Sequence, residues 1–306
     1  MSIELQDSRD GKLDLDFYFE DVLNEKFKTK IEKFLLTQVE RFPWLTTFKL
    51  IIHSTNTFPH SSGIASSASS MSALNMCLMD LDEKISGHKK LAVDFLNEAS
   101  DLSRQASGSA GRSVFPFMAT WGEIDSIPES SNRFARAVDK NSVAEIFHDY
   151  KDSIIIVDAG EKSVSSRAGH SLMENHPFNE ERYKRARTNM DKLLGAMKSG
   201  DMATFIEVVE EEALMLHALM MTSTPSYILL KPDSLMLIEK IREYRNKTGI
   251  PVCFTIDAGP NIHLLYPAQN KSEVEAWIKS EFSKFTVIHD EVGAGPVNKD
   301  SMKDFI

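Results

Sequence analysis

A loop of small residues with four serines, residues 59–68, opens directly into a helical pattern and is the strongest local signal for chemistry. It reads Pro-His-Ser-Ser-Gly-Ile-Ala-Ser-Ser-Ala. Backbone N–H groups at the positive end of a helix can hold a phosphate, and serine hydroxyls add donors or reach a magnesium ion. We therefore predict a nucleotide site. Its candidate residues are Ser61, Ser62, Gly63, Ala65, Ser66 and Ser67.

The same loop has a plainer interpretation. Serines are common at the N-cap of an ordinary helix, with no ligand involved. The loop also lacks the lysine of the Walker pattern, which excludes the common P-loop fold. Sequence spacing alone leaves the nucleotide site and the simple cap as open alternatives.

A second segment of small residues, 106–113, carries a single cation in the sequence Ala-Ser-Gly-Ser-Ala-Gly-Arg-Ser. The planar guanidinium of Arg112 can bind a carboxylate through two parallel hydrogen bonds. The hydroxyls of Ser107 and Ser109 can donate to diphosphate oxygens. The alternative is an arginine that caps a helix or forms a surface ion pair.

Asp257 begins the segment Asp-Ala-Gly-Pro-Asn between two predicted strands. An aspartate at such a turn commonly supports local hydrogen bonds, which is the structural alternative to a catalytic role. His217 lies in an apolar helical run, so we expect a satisfied core or interface histidine rather than a ligand. No His, Cys or carboxylate cluster has the spacing of a metal site, so any magnesium would arrive with the nucleotide.

These residues need elements that hold them, and hydrophobic periodicity predicts those elements. Alternation over 13–20 and 48–52 indicates strands on either side of a helix at 27–35. Further helices are predicted at 71–81, 91–102, 180–197, 202–221 and around 277, and further strands at 153–157, 252–256, 262–266 and 285–288. This order predicts an α+β protein of two layers, with one lobe over residues 1–150 and a second over 151–306.

Composition limits the function. The chain has 306 residues, 42% hydrophobic and 26% charged, with a net charge of -10, which argues against nucleic-acid binding. Residues 1–12 are polar and acidic, and no apolar run is long enough for a membrane span, so we expect a cytoplasmic protein. Cys77 and Cys253 lie in apolar surroundings far apart in sequence, which favours free thiols in a reducing compartment.

Several motifs together resemble one protein family. The loop at 59–68 is similar to the Pro-x-x-x-Gly-Leu-x-Ser-Ser-Ala phosphate motif of the superfamily that contains galactokinase, homoserine kinase, mevalonate kinase and phosphomevalonate kinase (GHMP). Asn-Thr-Phe-Pro at 56–59, with segments 106–113 and 257–261, resembles the mevalonate diphosphate decarboxylase family in order and approximate spacing. Segments 164–169 and 293–296 look similar as well. The resemblance covers almost the whole chain.

This resemblance implies a two-lobed GHMP kinase fold, with an N-terminal lobe like domain 2 of ribosomal protein S5 and a ferredoxin-like C-terminal lobe. It implies a homodimer that uses ATP and Mg²⁺ to decarboxylate mevalonate 5-diphosphate to isopentenyl diphosphate. Asp257 would accept the proton of the tertiary hydroxyl and Arg112 would orient the carboxylate. The substrate diphosphate would lie on Ser107, Gly108, Ser109, Ser166 and Arg167.

The chain departs from the family at its start. The family opens with a strand and a loop similar to Lys-Tyr-Trp-Gly-Lys, and nothing before Leu13 matches it. We therefore expect an N-terminal lobe that lacks strands and has an exposed sheet edge. Two alternatives to the decarboxylase follow, namely a related kinase that does not decarboxylate, and a catalytically silent binding protein.

Overall fold

The computed structural model describes residues 1–8, 10–58, 66–160 and 176–299. Within those ranges the strands are β1 Ser2–Asp7, β2 Asp14–Phe19, β3 Val22–Leu23, β4 Phe48–Ser54, β5 Ala119–Ile124, β6 Ile127–Ala137, β7 Lys151–Ile156, β8 Cys253–Thr255, β9 Ile262–Tyr266 and β10 Thr286–Glu291. The helices are α1 Glu25–Leu36, α2 Ser66–Ser86, α3 Ala92–Ala106, α4 Asn179–Ser199, α5 Met202–Thr222, α6 Pro232–Thr248 and α7 Lys271–Glu281.

The first sheet has the strand order β1-β4-β2-β3. β2 and β4 are parallel neighbours, and α1 lies between them in the chain, as the strand-helix-strand pattern predicts. Leu15 and Phe17 of β2 and Leu50 of β4 are buried in one hydrophobic core with residues of the helices α1, α2 and α3. Their alternation with polar residues places one face of the sheet in the core and leaves the other in solvent.

β1 lies at the edge of this sheet, and the sequence analysis missed it. It pairs antiparallel with β4, from Ser2 opposite His53 to Asp7 opposite Phe48. Its inward residues Ile3 and Leu5 are only half-buried. Because the segment is short and largely polar, its alternation is too weak to indicate a strand until β4 supplies the hydrogen-bond partners.

A two-stranded hairpin, β5 and β6, was also missed. Its register shifts between Thr120 and Gly122 and again between Gly122 and Ile124, which breaks the two-residue alternation that would reveal a strand. The hairpin packs against α3 and touches α4. It therefore lies next to the segment that carries Arg112.

The second sheet has the order β10-β7-β9-β8, and its neighbouring strands are antiparallel. Helices α6 and α7 cover one face, where Leu237 and Ile278 pack with Ile155 and Leu264. The other face holds Ile154 and Ile156, against which Phe58 packs. Phe58 directly precedes the serine-rich loop, so this contact joins the loop to the second sheet.

The result is the mixed, two-domain arrangement of helices and sheets that the sequence predicts. The first sheet uses residues 2–54 and the second uses residues 151–291. The lobe boundary between residues 150 and 151 stays a prediction. None of the helices in the described ranges combines the length and apolar character that a membrane crossing needs.

Candidate functional site

The N-terminus of α2 meets the small-residue segment that follows α3. Helix α2 begins at Ser66, and the Oγ atom of Ser67 lies 3.3 Å from the Oγ atom of Ser107. Ser67 is exposed, and Ser66 and Ser107 are half-buried. A predicted nucleotide residue and a predicted substrate residue, 40 positions apart, are therefore in hydrogen-bond contact. The predicted positions Ser61, Ser62, Gly63 and Ala65 lie outside the described residues.

The segment around Arg112 is a tight turn built from small residues. Helix α3 ends with the N–H of Ser107 donating to the carbonyl of Ser103 at 2.9 Å. A short 3-10 helix, Gly108–Gly111, follows it. A Cβ atom on Gly111 would lie 3.1 Å from the carbonyl oxygen of Ser100. Only a glycine lets the backbone pass so near α3 without displacing it.

Ser100 attaches this turn to the rest of the lobe. Its buried hydroxyl donates to the carbonyl of Gly111 at 2.7 Å and accepts from the N–H of Ala135 on β6 at 2.8 Å. One side chain of α3 therefore joins the residue before Arg112 to the hairpin. The sequence analysis missed Ser100, because a serine in a helical pattern does not indicate what it contacts.

Arg112 is exposed, with Ser109 beside it. Its side chain makes no hydrogen bond or ion pair with the residues that the structure describes. Desolvation by the surrounding protein lowers the pKa of Arg112, while the negative charge of Asp257 acts in the opposite direction. Arg112 is thus a solvent-accessible cation in a partly enclosed place, within electrostatic reach of Asp257. Both features suit a carboxylate ligand.

Asp257 lies on the turn between β8 and β9. It is exposed, whereas its neighbours Ile256 and Ala258 are buried, so the turn presents its carboxylate to solvent. Gly259 donates its N–H to the carbonyl of Asp257 at 2.7 Å. This geometry keeps the turn tight and includes the local hydrogen bonding that the structural interpretation of Asp257 expected.

Two side chains from other elements and one from the turn itself hold the turn in place. His217 of α5 places Nε2 at 3.1 Å from the carbonyl oxygen of Asp257. Ser234 of α6 donates its hydroxyl to the carbonyl of Pro260 at 2.7 Å. The side-chain oxygen of Asn261 accepts from the N–H groups of Val157 and Asp158 at 2.8 and 3.0 Å. The turn is therefore fixed to both helices and to the end of β7.

The expectation that His217 is a satisfied core residue is confirmed. Its side chain is 1% exposed, and burial lowers its pKa despite the opposing effect of its contact with Asp257. The periodicity of the helix predicted that it is buried. It did not reveal that the partner would be the main chain of Asp257, since that contact spans 40 residues.

The Gly-Ala-Gly-Pro motif at 293–296 lies beside the Arg112 turn. Phe117 donates its N–H to the carbonyl of Gly293 at 3.0 Å. Gly295 has φ +85°, and a Cβ atom there would lie 2.9 Å from the backbone of Pro116. A left-handed conformation and a close backbone approach both require glycine. The motif therefore supports the chain that leads out of the Arg112 turn.

Two predicted substrate residues, Ser166 and Arg167, lie outside the described residues, as does the motif at 164–169. Among the residues that the structure does describe, no group of three His, Cys, Asp or Glu side chains could hold a metal ion. The donors at the start of α2 are the hydroxyls of Ser66 and Ser67. Hydroxyls of this kind fit a magnesium ion that keeps most of its ligands on phosphate and water.

Two family models match nearly the whole chain. Residues 8–132 match the diphosphomevalonate decarboxylase-like N-terminal domain, and residues 153–304 match the mevalonate 5-diphosphate decarboxylase C-terminal domain. The chain belongs to the diphosphomevalonate decarboxylase family. The resemblance of the motifs to this family is therefore confirmed.

Curated relatives agree with the family. The diphosphomevalonate decarboxylase of Debaryomyces hansenii is 28% identical over 290 residues, which cover 91% of this chain and 71% of the relative. That of Eremothecium gossypii is 28% identical over 259 residues, covering 82% of this chain and 61% of the relative. The chain thus spans between three fifths and three quarters of the length of these two relatives.

Solved structures of the family share the fold. The mevalonate diphosphate decarboxylase of Legionella pneumophila superposes with a TM-score of 0.78 at 27% identity, covering 94% of this chain and 87% of that one. A structure described as MDDEF in complex with MVAPP, AMPPCP and magnesium gives a TM-score of 0.79 at 28% identity, with coverages of 96% and 84%. The predicted GHMP kinase fold is confirmed.

Proposed function

We propose that this protein catalyses the ATP-dependent decarboxylation of mevalonate 5-diphosphate to isopentenyl diphosphate. The observation that carries this proposal is the meeting of three segments. The hydroxyl of Ser67 at the start of α2 lies 3.3 Å from that of Ser107. Arg112 follows five residues after Ser107, and the negative charge of Asp257 acts to raise the pKa of Arg112. A phosphate site, a carboxylate-binding cation and a base therefore share one place.

ATP binds with its phosphates at the N-terminus of α2. The candidate residues there are Ser61, Ser62, Gly63, Ala65, Ser66 and Ser67. Backbone N–H groups and the helix dipole stabilise the phosphates, and the hydroxyls donate to them. A magnesium ion, when bound with the nucleotide, neutralises charge on the phosphate oxygens. The related complex with MVAPP, AMPPCP and magnesium supports this part of the proposal.

Mevalonate diphosphate lies between the two turns. Its diphosphate is held by Ser107, Gly108 and Ser109, and also by Ser166 and Arg167. Arg112 binds the carboxylate through its two parallel N–H groups. This places the tertiary hydroxyl toward Asp257, because the carboxylate and the hydroxyl are on neighbouring carbons of the substrate.

Asp257 is the base in the first step. The γ-phosphoryl group moves to the tertiary hydroxyl oxygen while Asp257 takes the proton. The C–O bond then breaks and its electron pair leaves on phosphate. The electrons of the bond to the carboxylate form the new double bond, and carbon dioxide departs. Arg112 holds the carboxylate throughout, so positioning and electrostatics supply most of the rate.

The alternatives are less well supported. A related kinase would phosphorylate its substrate and keep the carboxylate. Both matching families and the two curated relatives are named as decarboxylases, which does not favour the kinase. A silent binding protein would not need an exposed Asp257 on a turn fixed to α5, α6 and the end of β7, within electrostatic reach of the exposed Arg112.

The test is ATP-dependent release of carbon dioxide from mevalonate diphosphate by the wild-type chain and by Asp257→Ala. We expect release by the wild type and a loss of about 10³-fold in the variant, because the base is gone. Nucleotide binding, measured by calorimetry, should stay the same in both. Phosphorylation without carbon dioxide would indicate the kinase, and nucleotide binding without turnover would indicate the silent protein.

The remaining expectations belong to the same proposal. We expect a homodimer that works in the cytoplasm, with lobes over residues 1–150 and 151–306. Light scattering on the purified chain measures its mass in solution. A mass of one chain, 34.5 kDa, rather than two would contradict the dimer.

A further inference from the structure

His217 is a buried histidine that contacts the main chain of the Asp257 turn. It lies on α5 with 1% of its side chain exposed, and its Nε2 atom is 3.1 Å from the carbonyl oxygen of Asp257. A carbonyl oxygen only accepts hydrogen bonds, so Nε2 carries the hydrogen. Burial lowers the pKa of His217, which keeps the ring neutral. A neutral ring places no extra positive charge beside the carboxylate.

The other side chains that hold this turn act at its far end. Ser234 contacts Pro260, and Asn261 contacts β7. The carbonyl of Asp257 receives one bond from inside the turn, from Gly259, and one from His217. Among the described residues, His217 is therefore the side chain outside the turn that hydrogen-bonds to the main chain of Asp257.

We propose that His217 is a positioning residue, whose hydrogen bond to the Asp257 carbonyl sets the direction in which the Asp257 carboxylate points. The proposal rests on the proposed function, since it takes Asp257 as the base. The carbonyl and the side chain share one Cα atom, so rotating the peptide after Asp257 swings the carboxylate. A displacement of about 1 Å at a reacting group costs about 10²-fold in rate.

Three variants test this role. His217→Leu keeps a side chain of similar size but removes the hydrogen-bond donor, and we expect kcat to fall by roughly 10²-fold. KM for mevalonate diphosphate should change by less than about twofold, because His217 does not touch the substrate. His217→Gln should restore most of kcat, since its amide N–H reaches the position of Nε2.

Ser234→Ala is the matched control. It removes a hydrogen bond of 2.7 Å from the same turn, but at Pro260 instead of Asp257. We expect it to lower kcat by less than about threefold, although the lost hydrogen bond lowers the urea midpoint of unfolding. Equal effects of Ser234→Ala and His217→Leu on kcat would overturn the proposal, because general loosening of the turn would explain both.

Crystal structures of the wild type and of His217→Leu separate this proposal from the proposed function. We expect the Asp257 carboxylate to move in the leucine variant and to stay in place in His217→Gln. If the wild type releases no carbon dioxide, the proposed function fails, yet these structures still decide the role of His217. An unmoved Asp257 in the leucine variant overturns that role. If His217→Leu does not fold, His217→Asn replaces it, because its shorter amide cannot reach the carbonyl.

Discussion

The Arg112 turn and the Asp257 turn present opposite charges to the same place, but they are held in different ways. The Arg112 turn, Ser107–Arg112, packs main chain against α3 and has one buried anchor, the Ser100 hydroxyl. The Asp257 turn, Asp257–Asn261, is held by side chains of His217 and Ser234 and by its own Asn261. More side chains therefore hold the turn at Asp257 than hold the turn at Arg112.

This difference suits the proposed roles. A base must hold one direction toward one hydroxyl, and small errors in that direction are costly. A guanidinium that binds a carboxylate can adjust along a long side chain, and it gains its geometry from two parallel hydrogen bonds with the ligand itself. We therefore expect activity to depend mainly on the type of side chain at position 112. Around Asp257 we expect activity to depend mainly on the side chains that hold the turn in place.

The largest effect that tests this comparison is expected from Arg112→Lys. Lysine keeps the charge but cannot make two parallel hydrogen bonds to a carboxylate. We expect kcat/KM for mevalonate diphosphate to fall by about 10²-fold, equivalent to about 2.7 kcal/mol. Steady-state release of carbon dioxide measures it.

The matched control is Arg133→Lys. Arg133 lies on the neighbouring strand β6, its side chain is 76% exposed, and it pairs with Asp101 away from the proposed ligand. The same chemical change there should leave kcat/KM within about twofold, because exposed pairs contribute little. If Arg112→Lys behaved like Arg133→Lys, Arg112 would not bind the carboxylate.

The second prediction concerns the ion pairs near the two turns, which should respond to pH with opposite signs. Near the Asp257 turn, Asp152 of β7 lies 2.7 Å from Nδ1 of His263 on β9. Burial acts to lower the pKa of His263. The hydrogen bond to Asp152 and the charges of Asp257 and Asp290 act in the opposite direction and outweigh it, so the pKa is raised overall. The pair's stabilisation is thus fully present below about pH 6.5, the pKa of an unfolded histidine, and is lost as pH rises through the folded pKa.

We therefore expect Asp152→Asn to destabilise the protein by about 2 kcal/mol at pH 6 and by clearly less at pH 9. Urea unfolding at both pH values measures this.

Asp101→Asn, near the Arg112 turn, is the contrasting variant. Burial acts to raise the pKa of Asp101, but hydrogen bonds from Arg104, Arg133 and Gln105 lower it overall. Its contribution is present above about pH 4 and lost only on acidification, so its cost should be equal at pH 6 and pH 9. Equal costs for Asp152→Asn at both pH values would contradict the pairing with a charged His263.

The candidate ligand-binding residues could be proposed from the sequence, whereas the side chains that hold them in place could not. Short motifs contain these candidates, and the residue types in the motifs indicate the chemistry; the candidates are Ser67, Ser107, Arg112 and Asp257. Ser100 and His217 stand in ordinary helical patterns, and their importance comes from a single contact each with a distant turn. A helical period reports which face is buried, but not which backbone atom the buried polar group meets.

The elements show the same limit. β2, β4 and β9 alternate because one face of each is buried, whereas β7 ends in an apolar run that is buried on both faces, and all four were predicted at nearly their observed positions. β1 and the β5–β6 hairpin were missed because a polar edge strand and a strand with bulges lose that alternation. Both depend on partners that are distant or irregular, so only the assembled sheet reveals them.

The smallest expected effect is on the buried anchor of the Arg112 turn, the Ser100 hydroxyl. Ser100→Ala leaves the carbonyl of Gly111 and the N–H of Ala135 without their shared partner, and we expect a cost of about 1.5 kcal/mol in urea unfolding. Because Arg112 follows Gly111, KM for mevalonate diphosphate should rise by about three- to tenfold while kcat changes less.

Ser103 supplies the control on the same helix. Its hydroxyl is fully buried like that of Ser100, but it has no hydrogen-bond partner within the part of the chain that the structure describes. Ser103→Ala therefore removes an unsatisfied polar group, and stability should stay the same or increase. If the two alanine variants lost equal stability, burial of a hydroxyl in α3 would explain both, and the Arg112 turn would be held by main-chain packing alone. A loss confined to Ser100→Ala, with the rise in KM, would show that one hydroxyl positions the carboxylate-binding turn, in contrast to the several side chains that hold Asp257.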